Sequence, residues 1–183
     1  MEFKKGQLLI SEPFVGDDNF ERTVILICEN NEQGTVGFIL NKPTNLILED
    51  VMEDMEGMKH PLFVGGPVEQ NSLHFIYRNE LAGLEETNCI QNNLYWGGDF
   101  DQLRDMLDDG RAKVEDIRFF VGYSGWSPEQ LKDEFTNKSW FIGELSADEI
   151  FDTEPDDLWR SVLRKKGGKY KMYSNYPIDP RLN

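Results

Sequence analysis

The sequence has few of the residues on which metal sites and disulfide frameworks depend. It contains two cysteines, Cys28 and Cys89, and two histidines, His60 and His74. A structural zinc site takes about four such ligands, often as paired CxxC motifs, and this chain has no such pair. We therefore predict no metal and no cofactor. We expect both cysteines to be free thiols that act as small buried hydrophobic side chains in a reducing compartment.

Long hydrophobic runs are also missing. The longest apolar segments are residues 23–28 and 35–40, whereas a membrane-spanning helix needs roughly 18 or more consecutive apolar residues. The first six residues lack the apolar stretch and the small-residue cleavage site of a signal peptide. These features predict a cytoplasmic protein that does not contact the membrane.

Positive charge is scarce. The chain has 19 Lys and Arg against 34 Asp and Glu, which gives a net charge of -15, and this charge repels a phosphate backbone unless the bases are segregated. A basic stretch does run from Arg160 to Lys171, but it directly follows an acidic stretch from Glu144 to Asp157. We interpret it as a solvated helix end that suits the helix dipole, and we expect no direct nucleic-acid contact.

Short apolar, β-branched segments predominate in the first half of the chain. They predict strands at residues 6–11, 23–29, 35–41, 62–64, 73–77, 88–95, 117–123 and 139–143. Helical spacing of apolar residues predicts helices over residues 47–55 and 99–109, from Pro128 onward, and around residues 158–163. Strands come early, helices come late, and residues 30–34 are typical of a hairpin turn. We therefore predict an α+β fold with a mixed or mainly antiparallel sheet.

Two of these helices have clear start signals. Asp99 precedes the first with Gln102 three residues later, and Ser127 precedes Pro128 with Gln130 at the corresponding place. Both pairs predict a capping box. At 183 residues the chain can form one hydrophobic core. We predict a single domain over residues 1–166 and a C-terminal tail, residues 167–183, that packs on it.

No catalytic motif is complete. The segment from Gly122 to Trp126 is similar to a nucleophile elbow around Ser124, but that motif requires glycine where Trp126 stands. Gly65-Gly66-Pro67 lacks the Lys and Ser/Thr of a phosphate-binding loop. A lone His74 in an apolar strand is more often structural than catalytic. The residues therefore assign no catalytic group and favour a binding protein over an enzyme.

The order of the motifs resembles that of a known family. The motifs are Gly6-x-Leu8-Leu9-Ile10 with Pro13, Phe20-x-Arg22-Thr23-Val24-Ile25-Leu26, Gly37-Phe38-Ile39-Leu40-Asn41-Lys42-Pro43, Gly65-Gly66-Pro67-Val68, Leu73-His74, and Gly122-Tyr123-Ser124-Gly125-Trp126-Ser127-Pro128-x-Gln130-Leu131-x-x-Glu134. Together they span nearly the whole chain and look like the bacterial AlgH/YqgE family.

The resemblance implies a strongly curved, partly barrel-like mixed sheet with flanking helices. It also brings the family's label of transcriptional regulator, without an identified DNA-binding element. Four positions depart from the pattern: Lys42 and Glu129 stand where Arg and Gly are typical, and Ser124 and Ser127 stand where Ala is common. If Ala serves at position 124, a nucleophilic role for Ser124 is weakened further.

These observations lead to two functional hypotheses. The first is a binding or regulatory protein that acts through a protein partner or a small anionic ligand. Its site would form where three turns at strand ends converge, and its residues would be Arg22, Asn41, Lys42, Gly65, Gly66, His74, Tyr123, Ser124, Gly125, Trp126 and Ser127. The second is an unusual enzyme for a small acidic substrate, with a pocket near Arg22, His74 and Tyr123. A purely structural role of the three turns is the competing interpretation.

Overall fold

The structure, a computed structural model, describes residues 3–52, 55 and 57–177, and these form ten strands and five helices. The strands are β1 (Leu8–Ser11), β2 (Val24–Asn31), β3 (Gly34–Ile39), β4 (Pro43–Ile47), β5 (Pro61–Val64), β6 (Val68–Arg78), β7 (Asn88–Gln91), β8 (Leu94–Trp96), β9 (Ile117–Trp126) and β10 (Trp140–Gly143). The helices are α1 (Phe100–Asp108), α2 (Pro128–Thr136), α3 (Ala147–Asp152), α4 (Pro155–Lys166) and α5 (Gly168–Tyr173). The predicted α+β class is confirmed.

Strand β9 joins two halves of the sheet. The strand order is β10-β1-β2-β3-β9-β6-β8-β7, and β4 and β5 attach beside it through β5. The first part of β9 pairs with β6 antiparallel and with β5 parallel, and its last residues, Ser124 to Trp126, pair with β3 antiparallel. The sheet is therefore mixed but mainly antiparallel, and it is open rather than a closed barrel.

Side chains on both faces of the sheet are buried. Leu26, Phe38 and Phe120 lie in a cluster with Trp159 of α4. A second cluster forms under α1 and contains Phe75 and Leu103 among others, and a third forms under α2 and contains Leu9, Ile25, Trp126, Leu131 and Trp140. Helices thus cover both faces, which explains why all four residues of β1 are buried. Within the described ranges, no helix is long and apolar enough to cross a bilayer.

The helix predicted over residues 47–55 is wrong where the structure describes it. The chain from Pro43 to Ile47 is β4, and Leu48–Asp50 forms a single 3-10 turn; residues 53 and 54 lie outside the described residues. Thr44 Oγ1 donates to Leu62 O at 2.9 Å, and Leu48 N donates to His60 O at 2.9 Å. These hydrogen bonds hold the segment to β5, and they override the weak local preference for helix.

One of the two predicted capping boxes is half confirmed, and the other is absent. The Asp99 side chain accepts a hydrogen bond from Gln102 N at 2.8 Å at the start of α1, while the Gln102 side chain accepts from Glu85 N. Ser127 takes the N-cap position of α2 but makes no side-chain cap. The Gln130 amide instead donates to Glu134 Oε1. The first turn of α2 is therefore left open at its N–H groups.

Candidate functional site

The three predicted turn segments meet where β3, β5 and β9 cross. Val64 N donates to Lys42 O at 2.8 Å, and Ile39 N donates to Gly65 O at 2.9 Å. The Ser124 hydroxyl, fully buried, also donates to Gly65 O at 3.0 Å. We call Gly65, Gly66, Gly122 and Ser124 the crossing. Its polar groups bind one another, so its fixed geometry is explained by strand pairing.

Backbone contacts explain the glycines of the crossing. A Cβ atom on Gly65 would lie 2.2 Å from Gly122 O, and one on Gly66 would lie 2.3 Å from the Tyr123 carbonyl carbon. Gly122 has a φ of 66° and would bring a Cβ within 2.7 Å of Val68 O. Glycine at these positions therefore lets the end of β5 approach β9 more closely than a residue with a side chain would allow.

Asn41 and Lys42 hold the loop that precedes β2. The Asn41 side chain donates to Arg22 O at 2.9 Å and accepts from Val24 N at 2.8 Å. Lys42 Nζ donates to the carbonyl oxygens of Asp18 and Asn19, at 2.8 Å each. Burial lowers the pKa of Lys42 against the opposing effect of nearby acids. Both side chains are engaged by their own chain.

Arg22 lies against the C-terminal tail. Its Nη2 donates to Tyr176 O at 2.8 Å and to Pro177 O at 2.5 Å, and its guanidinium lies 4.8 Å from the centre of the Trp159 ring. Burial, and then the charge of Arg160, lower its pKa. The side chain of Arg22 is therefore bound by the C-terminal tail, and no local sequence pattern predicts this contact.

His74 and Tyr123 are neighbours, with ring centroids 5.9 Å apart. His74 Nε2 shares a hydrogen bond of 2.9 Å with the Ser72 hydroxyl, and its ring lies 5.3 Å from that of Phe38. Burial lowers the pKa of His74, opposed by the charge of Glu69. Of the three residues in the enzyme hypothesis, these two are together, whereas the described contacts of Arg22 are with the tail and Trp159.

A cavity of about 390 Å³ opens beside the crossing, between the β2–β3 hairpin and the start of α2. Its lining residues are Glu29, Asn31, Gln33, Gly34, Thr35, Val36, Val68, Tyr123, Gly125, Trp126 and Ser127. Four of the predicted site residues therefore share it, namely Tyr123, Gly125, Trp126 and Ser127. The others, Arg22, Asn41, Lys42, Gly65, Gly66, His74 and Ser124, lie outside its lining.

Gly125 lies within β9 at the cavity and differs from the glycines of the crossing. Its φ is not in the left-handed region. A Cβ atom there would meet the edge of the Tyr123 ring at 3.1 Å and Val68 Cγ2 at 3.9 Å, and no backbone atom closer than 4 Å is among its three nearest neighbours. The strand partner is Val36. Neither backbone conformation nor close packing of strands demands a glycine here, and its effect is to leave the cavity open.

The charged side chain in the described lining of the cavity is acidic. Glu29 is the ionisable carboxylate among its described lining residues, none of which is Lys or Arg. Asn31 Nδ2 donates to Glu29 Oε1 at 2.5 Å, which fixes the carboxylate at one side. The indole N–H of Trp126 points elsewhere, to Glu134 Oε2 at 2.9 Å. The side chains of the lining therefore carry negative rather than positive charge, while the N–H groups at the start of α2 remain without a side-chain cap.

Sequence reasoning missed the half of the cavity that the hairpin supplies. Glu29, Asn31, Gln33 and Val36 line it, and the turn-rich segment at residues 30–34 was the available signal. In the described residues, no group of three or more His, Cys, Asp or Glu side chains could hold a metal ion. Both cysteines are free thiols; Cys28 is buried, but Cys89, on the edge strand β7, is exposed, so its predicted burial is wrong.

Residues 8–171 match the model of the family described as AlgH-like. The chain belongs to the AlgH-like family. Its relatives include a UPF0301 protein of Cytophaga hutchinsonii, 47% identical over 179 residues and covering 98% of each chain. Another UPF0301 protein, from Chlorobaculum parvum, is 38% identical and covers 98% of this chain and 96% of its own length.

Two solved structures share the AlgH-like fold. A crystal structure of a Corynebacterium diphtheriae protein superposes with a TM-score of 0.79 at 24% identity, covering 96% of this chain and 94% of that one. The solution structure of the AlgH protein from Pseudomonas aeruginosa gives a TM-score of 0.73 at 24% identity, covering 97% and 98%. At this identity the likeness shows the fold alone.

Proposed function

We propose that this AlgH-like chain is a binding or regulatory protein, and that its cavity receives a small ligand or a side chain of a protein partner. The observation that carries the proposal is Gly125. A glycine in a strand interior costs about 0.5–1 kcal/mol relative to alanine, and no backbone demand at this position explains it. The lack of a side chain at Gly125 leaves open space beside β9, and this space is part of the cavity.

The chemistry around the cavity supports binding rather than catalysis. The Ser124 hydroxyl is fully buried and donates to Gly65 O, and His74 is hydrogen-bonded to Ser72. A nucleophile activated by a base needs the two side chains within about 3.2 Å of each other. These two side chains each have another partner.

The lining also indicates the kind of group that the cavity accepts. Val36, Val68 and the Tyr123 ring supply apolar surface, while Glu29 and Ser127 supply polar groups at the rim. Such a mixture suits a flat, partly apolar group that is neutral or positively charged.

Direct DNA contact has less support. Within the basic stretch, Lys165 pairs with Glu149, and Lys166 Nζ donates to Ile142 O at 2.7 Å. A regulatory role would therefore act through the bound ligand or partner. Duplex binding with the steep salt dependence of phosphate contacts is not expected.

The test is a fragment screen by two-dimensional NMR, using neutral aromatic amides and aromatic amines. We expect hits to shift the backbone resonances of Val36, Tyr123 and Ser127. Gly125→Leu, which fills the space, should abolish these shifts, whereas Gly125→Ala adds a single methyl group and should weaken them less. Hits that shift only resonances outside the cavity, or shifts that survive in Gly125→Leu, would contradict the proposal.

The charge preference has a separate test. Glu29→Gln should weaken the binding of amines while leaving that of neutral amides unchanged. Glu32→Gln is the matched control because Glu32 lies in the same hairpin turn, is exposed and is outside the lining. Equal affinity of amines for both variants would show that the carboxylate plays no part.

A further inference from the structure

Arg22 is held in a conformation that its backbone does not favour. Its φ is 50°, in the left-handed region that non-glycine residues rarely adopt. The Asn41 amide, which donates to Arg22 O, and the Trp159 ring under the guanidinium keep the residue in place. Strain of this kind persists only where the surroundings over-determine the conformation, and it is more frequent at functional sites than elsewhere.

The guanidinium of Arg22 is incompletely satisfied. Nη2 donates to two carbonyl oxygens of the tail, those of Tyr176 and Pro177, while the neighbouring Nε is buried and has no hydrogen-bond partner. Nε and Nη2 form one edge of the guanidinium, which a carboxylate or phosphate group binds with two parallel hydrogen bonds. The tail satisfies one donor of this edge twice and leaves the other empty.

Among the described residues, the guanidinium of Arg22 has no counter-ion. The described residues include no carboxylate within salt-bridge distance of its guanidinium. Arg160 adds positive charge nearby, and Glu21 is the acid with a counteracting influence. A desolvated positive group of this kind is commonly paired with an anion.

In the described part of the tail, the ring contacts of the segment over Arg22 lie near the surface. The Tyr176 ring stacks on Phe14 at 5.9 Å and meets the edge of Tyr173 at 5.5 Å. Phe14 itself is 44% exposed. In contrast, Tyr170, further back in the tail, packs against Phe141 in the main core cluster. Within the described tail, the part that touches Arg22 therefore packs nearer the surface than α5 does.

We propose that Arg22 is a binding site for an oxyanion, a carboxylate or phosphate group, and that the tail around Tyr176 and Pro177 is an internal cap on this site. An arriving oxyanion takes the Nε–Nη2 edge and displaces the two carbonyl oxygens. Binding of the anion and release of the tail are then linked. This site is separate from the cavity at Gly125 and does not depend on it.

The experiment loosens the cap in the full-length chain. Tyr176→Ala removes the ring that stacks on Phe14 and leaves Arg22 intact. Met172→Ala is the matched control because Met172 lies in the same tail and its side chain is 62% exposed. Binding of inorganic phosphate and of succinate is measured by NMR titration at constant ionic strength. Tyr176→Ala should bind at least one of the two probes about tenfold more tightly than the wild type, within the range typical of coupled sites. Met172→Ala should match the wild type.

A second substitution decides whether Arg22 is the site. Arg22→Gln combined with Tyr176→Ala should lose the gained affinity, with folding checked by circular dichroism. If that variant does not fold, Arg22→Lys in the same background keeps the charge but lacks the two-pronged donor edge, and it should lose most of the gain. The proposal is overturned if Tyr176→Ala gains nothing for either probe, or if the gain survives the replacement of Arg22. Tightening for phosphate alone, or for succinate alone, identifies which oxyanion the site takes.

Discussion

The crossing and the cavity lie side by side at β9, and each contains a glycine, Gly65 or Gly125, whose φ is outside the left-handed region. At Gly65 the missing side chain is replaced by the carbonyl oxygen of Gly122, at 2.2 Å from where a Cβ would lie. At Gly125 the nearest obstacle is the edge of a tyrosine ring at 3.1 Å. One glycine thus lets two strands touch, and the other leaves room beside a strand. A glycine motif can combine a folding requirement with a binding requirement, and coordinates separate the two.

The largest effect is expected from a matched pair of glycine substitutions. Gly65→Ala places a methyl group on a backbone oxygen that cannot move without breaking the strand pairing, and it should destabilise the protein by about 3 kcal/mol or more. Gly125→Ala has no such clash with backbone and should change stability by less than about 1 kcal/mol in either direction. Urea unfolding followed by fluorescence measures both. Similar losses for the two variants would remove the distinction.

An intermediate effect is expected from serine substitutions at the two regions. Ser124→Ala deletes the buried hydrogen bond to Gly65 O, while Ile39 N still donates to that oxygen. The expected loss is about 1 kcal/mol. Ser127→Ala, at the cavity rim, removes an exposed hydroxyl that caps nothing. It should be near neutral in the same unfolding measurement, and a larger loss than for Ser124→Ala would show that the crossing is not the more constrained region.

The smallest effect concerns pH and His74, which touches both regions through Phe38 and Tyr123. Burial lowers its pKa in the folded state, so the folded protein favours the neutral ring. The stabilisation is complete above the unfolded pKa of about 6.5 and is lost as the pH falls through the folded pKa. His74→Gln should therefore reduce the fall in melting temperature between pH 7 and pH 5.

His60 provides the control for this measurement. Burial also lowers its pKa, and it lies beside Phe119, away from the cavity lining. His60→Gln should remove a separate part of the acid sensitivity, so the two changes should add in the double variant. A pH profile unaltered by His74→Gln would mean that the ring has the same protonation state in the folded and the unfolded chain, contrary to the prediction.

Elements whose signals are local were predictable from the sequence. The β2–β3 hairpin follows from two β-branched runs around a turn, and α1 follows from an N-cap at Asp99 and a glycine at its end. α3 was not predicted, although Ser146 and Glu149 form a complete capping box at its start. Its apolar pattern is too short to indicate a helix. The prediction of a helix over residues 47–55 missed the end of β4. The partner strand β5 comes more than ten residues later, and pairing with it rather than local preference decided the conformation of β4.

The candidate site was less predictable for the same physical reason. Tyr123, Gly125, Trp126 and Ser127 could be singled out because they form one motif, but the opposite wall comes from the β2–β3 hairpin. The partner of Arg22 lies 154 residues further along the chain. Spacing in the sequence carries no information about such contacts, so the sequence grouped Arg22 with the three turns, whereas the fold places its guanidinium against the tail.

The position of β9 has a consequence for how the chain is made. β2 pairs early with β1 and with β3. β3 and β6 gain their shared neighbour β9 only when residues 117–126 have been made, and β1 gains its second neighbour only with Trp140–Gly143. Such non-local pairings slow folding because loop closure comes before the contacts that reward it. On the ribosome, the first two-thirds of the chain is therefore an incomplete sheet with unpaired edges. The two halves of the sheet can join only when β9 has emerged, and β10, the last strand to be made, then covers the free edge of β1.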